Sequence, residues 1–183
     1  MDFLKLVNER TSTRVYSSQP VEGWKIDKIL ECCRLAPSAC NSQPWSFVVV
    51  DDHELKSGVA AATCGPLLTF NRFANRAPVI VAVVMEPAKF IARVGGMAKN
   101  KNFALIDIGI VAEHFCLAAT ELGLGTCMIG WFDEKKVGQL LHVPKTRRIP
   151  LLITLGYADS PKPRTKIRKT PREIKSVNKY GCS

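Results

Sequence analysis

The chain has 183 residues, of which 46% are hydrophobic and 23% charged, and its formal net charge is +10. Those proportions exclude a disordered chain, a collagen and a mini-protein, and the length is that of one domain able to bury a real core. Eight of the 26 lysines and arginines lie from Ser160 onward, where Glu173 is the one acid. The tail therefore carries +7 and everything before it +3. Basicity placed on an arm suits an anionic partner, and it equally suits a solvated tail.

Residues 2–9 read as a short amphipathic helix through Phe3, Leu4, Leu6 and Val7. Arg10-Thr11-Ser12-Thr13-Arg14 breaks the pattern, and Pro20 and Gly23 mark a turn. Residues 24–36 place Ile26, Ile29, Leu30 and Cys33 at helical spacing, and Pro37 stops that helix. A polar loop, 37–44, leads into a strand over 45–50 that is rich in β-branched and aromatic residues. Residues 53–62 form a helix, ended by Gly65-Pro66. Residues 79–84 are apolar on both faces and predict a fully buried strand. The stretch 86–101 is loop-like, holds Gly95-Gly96 and four cations, and is long for a connection inside one domain.

The longest helix covers 102–122 and is apolar over most of its surface. A helix of that kind is buried on several sides, which in so small a chain points to a second subunit. Gly123-Leu124-Gly125 ends it, a strand follows over 126–131, and Asp133 caps a helix that runs to Leu141. A last strand covers 149–157, before a Pro-rich basic tail. The pattern gives an α+β fold.

Seven cysteines are scattered, with no CxxC and three histidines. No zinc spacing can be assembled, and the thiols read as small core residues of a reducing compartment. The first ten residues contain acids and no signal-length apolar core. The longest apolar run, 77–85, is too short for a bilayer. These features lead to the expectation of a cytoplasmic protein.

No GxGxxG, Walker A, GxSxG or HExxH motif is present. Chemistry carried by the side chains alone is therefore not visible, and an enzyme built on this chain would lean on a bound organic cofactor. Four segments have chemical potential. Arg10 to Arg14 offers two guanidiniums four apart with three hydroxyls between them, a donor set matched to phosphate. The same residues also suit the cationic end of a helix. The loop 37–45, pinned by Pro37 and Pro44, carries the amides of Asn41 and Gln43, suited to the edge of a planar heterocycle or to an ordinary connection. Gly130, late in a strand, allows close approach to the backbone. Lys166 and Arg168 project from one side of an extended tail, free either to close on a phosphate or to face water.

In this order and spacing the segments resemble the nitroreductase family of FMN-dependent NAD(P)H oxidoreductases. The match is carried by Glu9-Arg10-Thr11-Ser12-Thr13-Arg14-Val15-Tyr16, by Ala36 to Trp45, by Asp107 to Asp133, and by Leu155-Gly156-Tyr157 with its basic tail. The resemblance implies a nitroreductase-like fold: a central, mostly antiparallel sheet of four to five strands surrounded by helices, a long buried dimer-core helix and an extended C-terminal arm. It implies an FMN-binding domain over 1–159 and an arm, 160–183, that crosses to the partner subunit of a homodimer.

By the same resemblance, Arg10, Thr11 and Ser12 hold the FMN phosphate and ribityl chain, and Arg14 lies near the flavin N1/O2 edge or the ribityl chain. Pro37, Ser38, Ala39 and Asn41 form the loop that the other subunit lays against the flavin. Asn71 reads the pyrimidine edge, Gly130 and Trp131 present a backbone amide to N5, and Lys166 and Arg168 reach the phosphate. Hydride passes from NADH or NADPH to N5 and on to a small acceptor, a nitroaromatic, quinone or similar, by a ping-pong route with no catalytic side chain. The segment 86–101, where members vary, is small and basic here, with Phe90 as its one aromatic for stacking. No metal, nucleic-acid or membrane partner is implied. Two other readings remain: a flavin protein of this fold with specialised chemistry such as dehalogenation or flavin modification, and a nucleic-acid-binding protein that uses the basic tail.

Overall fold

A computed structural model describes residues 2–65, 70–89, 92, 96, 100–159 and 165–181. Four strands pair antiparallel in the order β1-β2-β4-β3: β1 Trp45–Val50, β2 Val79–Met85, β3 Gly125–Ile129 and β4 Arg148–Gly156. β2 is central and apolar on both faces because both faces are covered, as its sequence predicts. Its side chains alternate between two cores. Val79, Val81 and Val83 join Ile153 and Leu155 beneath α2 (Gly23–Arg34) and α4 (Phe103–Glu121). Ile80, Ala82 and Val84 join Ile149 and Leu152 beneath α3 (His53–Ala61) and α5 (Glu134–Leu140). The result is a sheet between two helical layers, each held by apolar burial.

Helix starts follow the cap chemistry in the sequence. Asp2 caps α1 (Phe3–Glu9), Asp52 caps α3, Asn102 caps α4 and Asp133 caps α5, each accepting from a backbone N–H three residues on. Thr170 and Glu173 form a reciprocal capping box on a final short helix, α6 (Pro171–Ile174), which lies in the stretch read as plain tail. Gly123 takes φ +76° just past α4, the left-handed stop that glycine supplies most easily.

Some boundaries differ from the sequence reading. β3 ends at Ile129, so Gly130 and Trp131 lie beyond the strand. Single 3-10 turns occupy Ala39–Asn41 and Arg72–Arg76, both inside stretches with no periodicity to read. The larger difference is the segment after α1. Ser12 bridges Thr126 in parallel, and the Thr13 N–H donates to the Thr126 carbonyl at 2.8 Å. Tyr16 bridges Ala158, and its hydroxyl bonds the Thr13 carbonyl at 2.9 Å and Thr154 Oγ1 at 2.7 Å. Residues 12–16 thus lie along the β3 edge of the sheet. Gly125 makes this possible, since a Cβ there would overlap the Thr13 side chain.

α4 has two contrasting faces. Ile108, Val111, Ala112, Phe115 and Ala119 are buried against the sheet and α2, whereas Leu105 and Ile106 are 48% and 54% exposed. It is the one helix among the described residues long and apolar enough to cross a bilayer, by length and composition alone. On α1, Phe3 and Leu4 are also exposed. Together they leave an unpartnered apolar surface on two helices that touch each other.

Candidate active site

The Arg10–Arg14 segment meets the C-terminal tail. Arg10 ends α1, with its Nε 3.5 Å from the Glu113 carboxylate on α4. Lys166 Nζ donates to the Val7 carbonyl in the last turn of α1. Burial, followed by the positive charges of Arg10 and Arg168, depresses the Lys166 pKa below the usual lysine value, and Glu113 opposes the shift. Three cations thus converge with one carboxylate among them, an arrangement that repels itself until an anion enters.

Beyond Ser12 the segment enters a cleft of about 300 Å³ lined by Arg14, Asn71, Cys127, Met128, Gly130 and Trp131. The Arg14 guanidinium stands 5.7 Å from the Phe73 ring centroid, and its Nη1 reaches the Ser12 carbonyl at 3.5 Å. That stacking fixes a permanent charge on the cleft wall. Asn71 is buried and donates through Nδ2 to the carbonyls of Trp131 at 3.1 Å and Thr63 at 3.3 Å. Its donors are spent inside the chain, and its carboxamide oxygen accepts no bond from the described residues, so that an acceptor there can face the cleft. A Cβ at Gly130 would meet nothing within 4 Å, so the backbone is bare there. Cys127 joins the two regions: burial raises its pKa, while Arg14, Ser12 and Arg10 all act to lower it.

The structure therefore brings Arg10, Ser12, Arg14, Asn71, Gly130, Trp131, Lys166 and Arg168 to one side of the molecule, with Thr11 in the same segment. The loop holding Pro37, Ser38, Ala39 and Asn41 is not among them. Its Ala39 N–H donates to Asp107 Oδ1 at 3.1 Å, near the start of α4. Asp107 and Glu113 are six residues apart on α4, about 9 Å along the axis and on different faces. Within one chain the loop and the cations thus contact α4 at separate places.

A model of the nitroreductase family matches residues 7–157. The chain belongs to the nitroreductase family. Its relatives include an oxygen-insensitive NADPH nitroreductase of Helicobacter pylori, 29% identical over 180 residues, which cover 83% of this chain and 85% of the relative. A nitroreductase family protein from Streptococcus pneumoniae superposes with a TM-score of 0.81 at 30% identity, covering 96% of this chain and 99% of the other. An FMN-dependent nitroreductase from Clostridium difficile gives 0.79 at 27%, covering 97% and 100%. The fold and the family named from the sequence are thereby established, and with them an oxidoreductase.

Sequence reasoning missed Glu113, Phe73, Cys127 and Asp107. An acid on an otherwise apolar helix was the available signal for Asp107 and Glu113. Cys127 gave none, because a small thiol in apolar company reads as core, and Phe73 gave none, because a lone aromatic among Asn71, Arg72, Asn75 and Arg76 has no periodic pattern. Phe90 lies outside the described residues. Two larger hollows hold none of the residues assigned above to the cofactor: one of about 500 Å³ is lined largely by the 86–101 segment, and one of about 740 Å³ lies beside α5 and His142–Arg148. No cluster of metal-ligating side chains is present among the described residues.

Proposed function

We propose that this nitroreductase family member is an FMN-dependent NAD(P)H oxidoreductase that works as a homodimer by a ping-pong route. The observation that carries the reading is the convergence of Arg10, Lys166 and Arg168 around Glu113 beside a cleft whose far wall is bare backbone at Gly130. Such a donor set fits a phosphomonoester: two forked guanidiniums, one ammonium and the hydroxyls of Thr11 and Ser12. When bound, flavin mononucleotide supplies hydride acceptance from a reduced nicotinamide and donation to a second substrate that follows it into the same place.

The residues then have separate tasks. Arg10, Lys166 and Arg168 hold the phosphate, and Thr11 and Ser12 hold the adjoining chain. Arg14, braced by Phe73, presents fixed positive charge to the ring edge that becomes more anionic on reduction. The Asn71 carboxamide reads that edge, and Gly130-Trp131 offers a backbone N–H with no side chain in the way. No side chain of the cleft is asked to move a proton, so rate comes from positioning and fixed charge.

The second wall of the site comes from the partner. A 300 Å³ cleft sits at the small end for a ligand pocket, and no residue of its own Pro37–Asn41 loop lines it. Pairing two copies through Leu105 and Ile106 buries the exposed stripe and brings each loop to the other's cleft. A small acceptor, a quinone or nitroaromatic, fits an exchange site of this kind.

Initial-rate kinetics test the reading. With NADH or NADPH varied against a quinone or nitroaromatic, parallel double-reciprocal lines are expected. Intersecting lines, or no turnover with any such acceptor, would remove it.

A further inference from the structure

Asp107 is the one charged residue among the buried residues of α4, otherwise Ile108, Val111, Ala112, Phe115, Cys116 and Ala119. It is 3% exposed. Its Oδ1 accepts from the Ala39 N–H at 3.1 Å, while its buried Oδ2 has no donor among the described residues. An apolar residue at this position would continue the buried face at no such desolvation cost, so packing alone does not account for a carboxylate here.

The loop it holds is strained. Cys40, Asn41 and Gln43 have φ of 53°, 50° and 47°, a left-handed conformation that disfavours side chains. Within the loop, the Gln43 N–H donates to Ser38 Oγ and Gln43 Nε2 donates to Asn41 Oδ1, both at 2.8 Å. Those bonds set its internal shape, and the Asp107 bond ties that shape to the core.

We propose that Asp107 is a positioning residue of the active site: by fixing the Ala39 amide it sets the form in which Pro37–Asn41 is presented to the flavin of the neighbouring subunit. This rests on the reading of that loop as a cofactor wall. Asp107 touches no reacting atom and acts through the loop.

Three variants test it. D107A removes the acceptor, D107N keeps an acceptor oxygen, and A39P removes the donor. Ala39 opens a 3-10 turn after an extended Ser38 (φ −149°, ψ 157°), so proline is tolerated there. Hydrogen exchange at Asn41 and Ser42, whose amides close the turn, is expected to quicken at least tenfold in D107A and A39P, with D107N near wild type and the β2 amides unchanged throughout. FMN affinity is expected to fall at least tenfold in D107A and A39P, with the double variant no worse than either single one. Wild-type exchange in both donor and acceptor variants, additive losses of affinity, or a D107N as impaired as D107A would overturn the proposal. If D107A loses β2 protection as well, A39P and D107N decide. If the wild type takes up no FMN, the functional reading fails, and the exchange measurement still judges Asp107.

Discussion

Lys166 of the C-terminal tail donates to the carbonyl of Val7 at the end of α1, 159 residues earlier in the chain. That contact sets one ammonium near the charges of both Arg10 and Arg168, and so joins two basic segments into the proposed phosphate site. The chain's two ends meet because α1 ends beside the β3 edge, where residues 12–16 are stitched to the sheet.

The first prediction concerns that site. R10A and R168A each weaken FMN binding by about 10- to 100-fold, the loss of one charge-assisted contact of roughly 1.5–3 kcal/mol. Lys179, on the same tail but exposed beyond α6, serves as control, and K179A leaves the affinity within about twofold. Fluorescence quenching on titration with FMN measures all three.

What the sequence disclosed here had a physical basis in periodicity. β2 was recognisable because two buried faces demand an unbroken apolar run, and α4 because its apolar residues exceed one stripe. The cations of the site were recognisable as residue types. Their convergence was legible only through the resemblance and not from periodicity or spacing, because it depends on a contact across nearly the whole chain. Asn71 was found only through resemblance, since a buried amide that bridges two carbonyls has no periodic signature. Phe73 and Cys127 were missed because their packing against Arg14 and Ser12 depends on the edge pairing at Thr126.

The second prediction concerns the exposed stripe of α4. I106E places a charge where the proposed partner packs, which costs several kcal/mol when a charge is buried unpaired. The variant is expected to fold, run as a monomer in light scattering and lose FMN, because each cleft then lacks its second wall. A dimeric I106E that retains FMN would relocate the interface.

Acid stability gives the third. Glu134 accepts from Arg148 through both its oxygens and from the Ile149 N–H, and Arg148 leads this set in holding its carboxyl below the usual 4.5. Glu86, bonded first by Ser46 and then by Arg147, is lowered in the same way. A depressed folded-state pKa means that the stabilisation is complete above the unfolded value and is lost as pH falls below 4.5 through the lowered one. Urea midpoints measured from pH 6 to pH 3 should therefore drop in the wild type and drop less steeply in the double variant E86Q/E134Q.

Tyr16 gives the fourth. Its hydroxyl is buried, which pushes its pKa far above 10, and it bonds both Thr13 and Thr154. Y16F keeps the ring but takes the donor from the Thr13 carbonyl and leaves Thr154 Oγ1 with its bond to the Cys127 carbonyl, at a cost of about 1–3 kcal/mol. A lower urea midpoint with an unchanged slope is expected, since the fold's buried area stays the same.

The proposed assembly is two copies of this chain around a phosphorylated flavin gripped by Arg10, Lys166 and Arg168. The visible absorption spectrum of the purified protein tests it most directly. The expected result is a yellow protein with one FMN per chain, whose flavin band is bleached anaerobically by NADH or NADPH. A colourless protein that gains no flavin band on addition of FMN would contradict it.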